Sequence, residues 1–565
     1  MKPLLMVLAI LGISSSYAQG TGSLLVPEHP AEVTGLLTAG QKLSIGEVRE
    51  VCRQLTDDDF TVAGRYPVPK RSKAVKRHVK NLCEDMDLLI WRDDALADAD
   101  VEKLYELKLL QLSLLQKGKA DAIGMTLRGK LSMGLNSLLT RFKFSYPRAL
   151  GDEAKNLPLE KSLASYSLKE LSELDPKDSP FFEDNRASEV HKRFGDLAKS
   201  KRIDAGKRMV VLFDSVSGSG SAPKIRVIDT ENSEDEWSLK WGDELHSDVA
   251  GSRLFAALGF DVDHPYYRGP DDIFVVFPRD GGTTSAEQML AEVRRNFKIS
   301  VDDFVSRTGV IGEAEAKEFK KLAPYKGQRF VTFKECAIEG RPDRVKRLGS
   351  IVPSQLANED RRELRGALLA HLWIDNWDAR EENTFVTIHN TGKRNYLTRG
   401  GFSDLGTSFG VRLTLAKGDF RVGLPNQFGW HIVRSSSPSE VSLFGVMNAL
   451  IAPYRKATYA DLRWMATKIA RIDKVALEKI LEHSGWPTPI QQIYFHKLAS
   501  RRAEILRAFE VTDPHPIDFD RNLTLTHKGE VVVKDGRLVK DIESELHPLG
   551  YRNTRGRIRN YGRSL

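Results

Sequence analysis

The chain is 565 residues long, 41% hydrophobic and 29% charged, with a formal net charge of +8. That balance excludes a disordered chain, and the length asks for about two to four domains rather than one core. Three cysteines exclude a disulfide scaffold: Cys52 and Cys83 can pair in an oxidising compartment, whereas Cys336 lies in the pattern of a buried strand and reads as a free core residue.

In chain order, Met1-Lys2-Pro3 gives a short positive start, Leu4 to Ile13 is apolar apart from Gly12, and Ser14 to Ala18 is small and weakly polar. This is the pattern of a secretory signal peptide cut after Ala18, so residues 1–18 are read as a signal and the mature chain as secreted or periplasmic. The apolar run falls short of the ~20 residues that span a bilayer, and no later stretch reads as a transmembrane helix. Residues 19–205 read as a mostly α-helical domain. Val101 to Gln116 and Ala122 to Phe144 carry apolar residues at three- and four-residue spacing, and polar connectors such as Asp175-Pro176-Lys177-Asp178-Ser179-Pro180 follow.

The texture changes near Arg208. Met209 to Phe213 predicts a strand, Ser215 to Pro223 a small-residue loop, Lys224 to Ile228 a second strand, and Trp237 to Trp241 a third after the acidic turn Asp229 to Glu236. Glu244 to Leu258 then has helical spacing, with Gly259 as its C-terminal cap. Ile273 to Phe277 and Arg329 to Phe333 predict two further strands, so one helix is set into an antiparallel group. A helix capped by Asn358 carries the buried stripe Leu364, Ala367, Leu368 and Leu372 as far as Trp373. From about Val441 to Phe509 the pattern is helical, with breaks near Pro453 and Pro487-Thr488-Pro489. The end, residues 513–565, reads as a short strand pair (Gly529 to Leu538) and a basic tail with Arg552, Arg555, Arg557, Arg559 and Arg563. Such a tail suits an anionic partner, and no nucleic-acid-binding motif accompanies it.

Chemistry concentrates between His371 and Gly406. A helix feeds a loop with Asp378 and, five positions on, Asn383; a hairpin (Thr384 to Ile388, a turn, then Asn395 to Thr398) returns the chain to Asp404-Leu405-Gly406. Phosphoryl transfer uses such parts: a carboxylate that accepts the proton of an attacking hydroxyl, and hard oxygen ligands that hold magnesium against phosphates. His246, His371 and His389 do not share metal-ligand spacing. Trp241, Trp373 and Trp377 read as core aromatics, and no Gly-x-Ser-x-Gly or His-Glu-x-x-His motif supports a hydrolase.

On these residues the chain resembles the protein-kinase-like fold, in its atypical HipA-type and spore-coat-kinase-like branches. The resemblance covers roughly residues 206–510 and implies an α+β, bilobal domain: an antiparallel-sheet N-lobe over 206–335 and a helical C-lobe over 336–512, behind the helical N-terminal domain. It implies Asp378 as catalytic base and Asn383 and Asp404 as Mg²⁺ ligands. Lys240 would hold the phosphates of ATP or another nucleotide, oriented by Asp248, with Glu244 one turn earlier as the competing partner. Gly218, Gly220 and Lys224 would cover the nucleotide. The departures are plain: Asn376-Trp377 stands where His-Arg precedes the base, Asp375 is a rival for that role, the glycine loop is incomplete, and no Ala-Pro-Glu follows Asp404. The implied activity is phosphotransfer to a hydroxyl on a protein, sugar or lipid. An inactive binding module and a nucleotidyl transferase are the alternatives on the same fold.

Overall fold

The computed structural model describes most of residues 208–539, with breaks inside that range, and the short segments 61–62, 66–67, 144–148, 175–179 and 181–184. The expected signal segment, Cys52, Cys83, the two stretches before Phe144 expected to be helical, Gly218, Gly220, Asn358 and the arginine tail lie outside the described residues.

The first strands form where alternation predicts them. They are β1 (Met209–Val216), β2 (Lys224–Asp229) and β3 (Glu236–Lys240). Along β2, Ile225 and Val227 are fully buried while Lys224 and Arg226 are half-buried, the period-2 pattern of a sheet with one covered face. Helix α1 (Leu245–Leu258) follows, and Gly259 closes it at φ 104°, its N–H donating to the carbonyl of Ala256 at 3.1 Å. Every residue of α1 is buried, so its polar side chains His246, Asp248 and Arg253 must find partners inside the protein.

Next come β4 (Asp261–Val262), β5 (His264–Arg268), β6 (Ile273–Phe277), helix α2 (Ala286–Phe297), β7 (Val305–Val310), β8 (Arg329–Phe333) and β9 (Cys336–Gly340). Eight of these strands make one sheet in the order β5-β9-β3-β2-β1-β6-β8-β7. It is mixed rather than antiparallel, because β6 runs parallel to β1, with Val275 opposite Val211. All five residues of β6 are buried, as its unbroken apolar run requires of a strand covered on both faces. Cys336 is free and buried in β9, whose pairing in the sheet runs to Gly340.

A second sheet joins β10 (Val345–Gly349), β11 (Thr384–Gly392), β12 (Asn395–Phe402) and β4 in that order, with helix α3 (Arg362–Trp373) between β10 and β11 in the chain. The expected hairpin is β11–β12, paired from Thr384↔Phe402 onwards. Farther on, β13 (Val433–Ser436) pairs with β14 (Glu440–Leu443), and helices α4 (Tyr459–Ile469), α5 (Lys474–Glu482) and α6 (Thr488–Ala508) close the helical region. Three strands after it, Leu525–His527, Glu530–Lys534 and Arg537–Leu538, take the place of the expected pair.

Two expectations are corrected here. The helical pattern expected from Val441 begins instead as strand β14, because β14 hydrogen-bonds on both sides, to β13 and to the strand Phe144–Pro147. Phe144, expected at the end of a helix, is part of that strand. Pro487 and Pro489 start α6 and Pro453 lies inside the short helix Ala452–Arg455, which agrees with proline's tolerance in a first turn.

The hydrophobic core is shared between the sheets and the helices, and segments before residue 205 contribute to it. Phe144, Tyr146, Phe181 and Phe182 belong to the same cluster as Val211, Leu254, Phe402, Leu498 and Phe509. Phe182 packs edge-on to Trp464 and Phe260, with ring centroids 4.8 and 5.8 Å away, while Asp184 pairs with Lys468 at 3.1 Å and with Arg471. The chain is therefore an α+β protein built around a large mixed sheet. Phe182→Ala is expected to lower stability by about 3–5 kcal/mol, as large aromatic truncations in a core do. Urea unfolding measures it, and a loss below ~1 kcal/mol would mean that this segment does not hold the core together.

Candidate functional site

Lys240 ends β3, and its ammonium is held by two carboxylates: Glu339 Oε2 at 2.8 Å and Asp248 Oδ2 at 3.3 Å. Asp248 lies on α1, and Glu339 on β9, the strand beside β3, where Ala337 is the register partner of Lys240. On the other side of β3, Lys224 is the register partner of Lys240, so the two lysines leave the sheet on one face. Of the two acids expected to compete for Lys240, Asp248 makes the ion pair. Glu244 instead faces Asp404, Asp248 and Asp378, and burial together with those charges pushes its carboxyl well above the usual range.

The other oxygen of Asp248 reaches across to the Asp404 turn. The backbone N–H of Leu405 donates to Asp248 Oδ1 at 3.2 Å, and Ser247 Oγ donates to the carbonyl of Gly406 at 2.7 Å. α1 presses so closely here that a Cβ on Gly406 would stand 2.6 Å from Glu244 Cβ, which explains a glycine at this position. Asp404 itself takes φ 55°, a left-handed conformation that a non-glycine residue keeps only where its surroundings enforce it.

The loop after α3 is held to the same turn. Asn376 Oδ1 accepts from the Thr407 hydroxyl at 2.8 Å and from the N–H of Asp378 at 3.1 Å. The amide of Asn376 lies 3.0 Å from His371 Nδ1 and must be the donor there, since its oxygen is already engaged. Burial holds the His371 imidazole down at about 3, which agrees with its accepting role. Trp377 N–H donates to the Thr407 carbonyl at 3.0 Å.

Asp378 is buried, and its carboxylate is gripped by Arg380, Nε to Oδ1 at 2.5 Å and Nη2 to Oδ2 at 2.7 Å. Asn383 Nδ2 donates to the Asp378 carbonyl at 2.7 Å and to Oδ2 at 3.3 Å. The carbonyl of Asn383 accepts from Ser403 N–H at 2.8 Å, so the hairpin brings Asn383 next to Asp404 across its base. The rival acid Asp375, at φ 55°, is pushed up by burial and feels Arg501, and the residue hydrogen-bonded to Asn383 is Asp378.

Lys240, Asp248, Asp378, Asn383 and Asp404 thus come to one place, with Lys224 opposite Lys240 in the sheet. Sequence reasoning missed Glu339, Thr407 and the grip of Arg380. Glu339 has no local mark, since its meaning depends on which strand lies beside β3. Among the described residues no group of three or more His, Cys, Asp or Glu side chains has metal-holding geometry. Asn383 and Asp404 remain a pair of oxygen donors. A pair suits Mg²⁺, which usually takes one or two protein ligands and completes its shell with water and phosphate.

Electrostatically the site has more carboxylates than ammonium groups. Lys240 is kept charged well above its usual range because Asp248, Glu339 and Asp404 together outweigh the effect of burial. Burial, Asp404 and Glu339 push the Asp248 carboxyl up to about 6, although Lys240 pulls it down. Compared with protein-family models, with curated proteins and with solved structures, the chain matches none.

A carboxyl that binds its proton more tightly folded than unfolded adds stability below its unfolded value and loses it as the pH rises through the folded one. For Asp248 that window runs from its ordinary 3.8 to about 6. Asp248→Asn is therefore expected to cost less stability at neutral pH than near the bottom of the window, as read by urea unfolding at both. A cost that grows with pH would show that Lys240 dominates instead.

Proposed function

We propose that this protein is a kinase-like phosphotransferase with a bilobal kinase-like fold, exported to the periplasm or the medium, that uses ATP or another nucleotide with Mg²⁺. The carrying observation is the largely buried ammonium of Lys240, its side chain 14% exposed, between Asp248 and Glu339 and beside Asp404. A lysine on the third strand, paired with an acid on the following helix, is the arrangement that holds nucleotide phosphates in protein kinases. The order of strands β1-β2-β3-β9-β5, with α1 between β3 and β5 in the chain, supports the same reading. So does the run from Asp378 and Asn383 through a hairpin to Asp404.

In this reading Lys240 neutralises phosphate charge and Asp248 keeps it aimed. Asn383 and Asp404 would hold the magnesium ion, which supplies charge neutralisation at the transferring phosphoryl group. Asp378 would accept the proton of the attacking hydroxyl on a protein, sugar or lipid. Lys224, on the same face as Lys240, adds positive charge where the phosphates would lie. Export rests on the N-terminal sequence, and an anionic partner for the arginine tail rests on its charge.

One observation favours a second reading, an inactive binding module. Arg380 donates to Asp378 Oδ2 through Nη2 and sets Nε in ion-pair contact with Oδ1, a positive charge that opposes use of the carboxylate as a proton acceptor. A thermal shift of the signal-free protein with ATP, with and without Mg²⁺, tests nucleotide binding. Ligand at 100 times its dissociation constant adds about 2.7 kcal/mol, a rise that Asp404→Ala should lose. No rise in a folded protein would end the nucleotide reading. Magnesium-dependent binding without transfer of label from the γ-phosphate would leave the binding module, and label from the α-phosphate would mean nucleotidyl transfer. If Arg380 restrains the base, Arg380→Ala should raise γ-phosphate turnover, by up to the ~10²–10⁴-fold that one positioned acid–base group contributes.

A further inference from the structure

His246 stands two residues before Asp248 and so about 200° around α1, on the face turned from Lys240. There it meets two other parts of the molecule. Its Nδ1 is 2.9 Å from the carbonyl of Ser484, in the turn between α5 and α6. Its Nε2 is 3.7 Å from Oε2 of Glu335, in the turn between β8 and β9, and both side chains are 6% exposed. The imidazole is flanked by Tyr267 of β5 and by Trp486, with centroids 5.4 and 6.0 Å away. The contact is tight: Gly485 takes φ 77°, and a Cβ there would stand 2.4 Å from the Tyr267 ring.

The two nitrogens have unequal roles. A carbonyl only accepts, so the Ser484 contact commits Nδ1 to carrying a proton. Nε2 is then the atom whose state varies. Protonated, it donates towards Glu335 as half of a buried ion pair; unprotonated, it turns a lone pair towards a carboxylate. One proton reverses the sign of the contact, and the buried setting strengthens both cases. Glu335 has an alternative donor in the Tyr267 hydroxyl, 3.5 Å from the same oxygen, so it can remain in place when the imidazole is neutral.

We propose that His246 is a proton-operated latch on α1. Protonated, it ties the helix to the β8–β9 turn as well as to the α5–α6 turn; neutral, it gives up the Glu335 side. Among the described residues the titratable groups facing the ring include Glu335 and Tyr267, with Cys336 and Asp272 close to Tyr267, while the α5–α6 turn presents a carbonyl and an indole. The hold is therefore strongest at the acid end of the range, about pH 5 to 8, over which imidazoles change charge, and it weakens as the pH rises. Because α1 carries Asp248, a looser helix would also loosen the grip on Lys240. That consequence for activity rests on the phosphotransferase reading, whereas the latch does not.

The test is hydrogen exchange of the full chain, read by mass spectrometry at about pH 5.5 and pH 7.5 and corrected for the intrinsic pH dependence of exchange. Peptides covering α1 are expected to exchange several-fold faster at the higher pH in the wild type. In His246→Gln and Glu335→Gln that difference should vanish. A wild type with no difference, or a His246→Gln protein that keeps it, overturns the proposal. Should the variants fold poorly, exchange at Cε1 of His246 in the wild type reports the charge of the ring directly; a ring in one state at both values also overturns it. No nucleotide enters these measurements, so their failure and that of the proposed activity are separate results.

Discussion

The ammonium of Lys240 can be buried only because carboxylates arrive from two other elements. Taking a charge out of water costs several kcal/mol unless opposite charge and hydrogen bonds are placed around it. Glu339 from β9 and Asp248 from α1 provide that charge, which obliges β9 to lie beside β3 and α1 to lie against both. Asp248 extends the obligation, since its second oxygen receives Leu405 and fixes the turn that begins at Asp404. The left-handed backbone of Asp404 and the closeness of Gly406 to Glu244 are tolerable because this turn is held from α1 by two side chains, Asp248 and Ser247.

A second polar network does for the loop after α3 what Lys240 does for the sheet. His371, Asn376 and Thr407 form a chain of hydrogen bonds that ends on the backbone of Asp378. These bonds tie the loop to the Asp404 turn without a charge between them, although Nε2 of His371 is buried and makes no hydrogen bond. Neutral His371 suits this better than a charged one would, because it accepts from Asn376 without bringing a net charge into the core.

Much of this arrangement was legible in local patterns. β1 to β3, α1 with its Gly259 cap and the β11–β12 hairpin follow from alternation, helical spacing and turn residues, and Lys240 meets Asp248, the partner that the resemblance implied ahead of Glu244. What escaped depends on pairing between distant segments. The apolar run of β6 marks a buried strand but not that it lies parallel to β1. Val441 and Leu443 fit a helical stripe until Phe144–Pro147 is known to lie alongside. Glu339 has no mark in the sequence, since its role depends on β9 lying next to β3. The charge on Arg380 was visible, yet only geometry turns it onto Asp378.

The pairing of Phe144–Pro147 with β14 has a consequence for how the molecule assembles. Ser145 reaches Glu440 and Ser442 over separations of 295 and 297 residues, and Arg148 reaches Tyr459 and the carbonyls of Ser437 and Ala508. During synthesis the earlier strand leaves the ribosome long before its partners exist, and closing so long a loop carries an entropic cost that neighbouring contacts must first offset. The earlier strand must therefore wait for partners made almost 300 residues later, and β14 has a neighbour on only one side until that strand pairs with it.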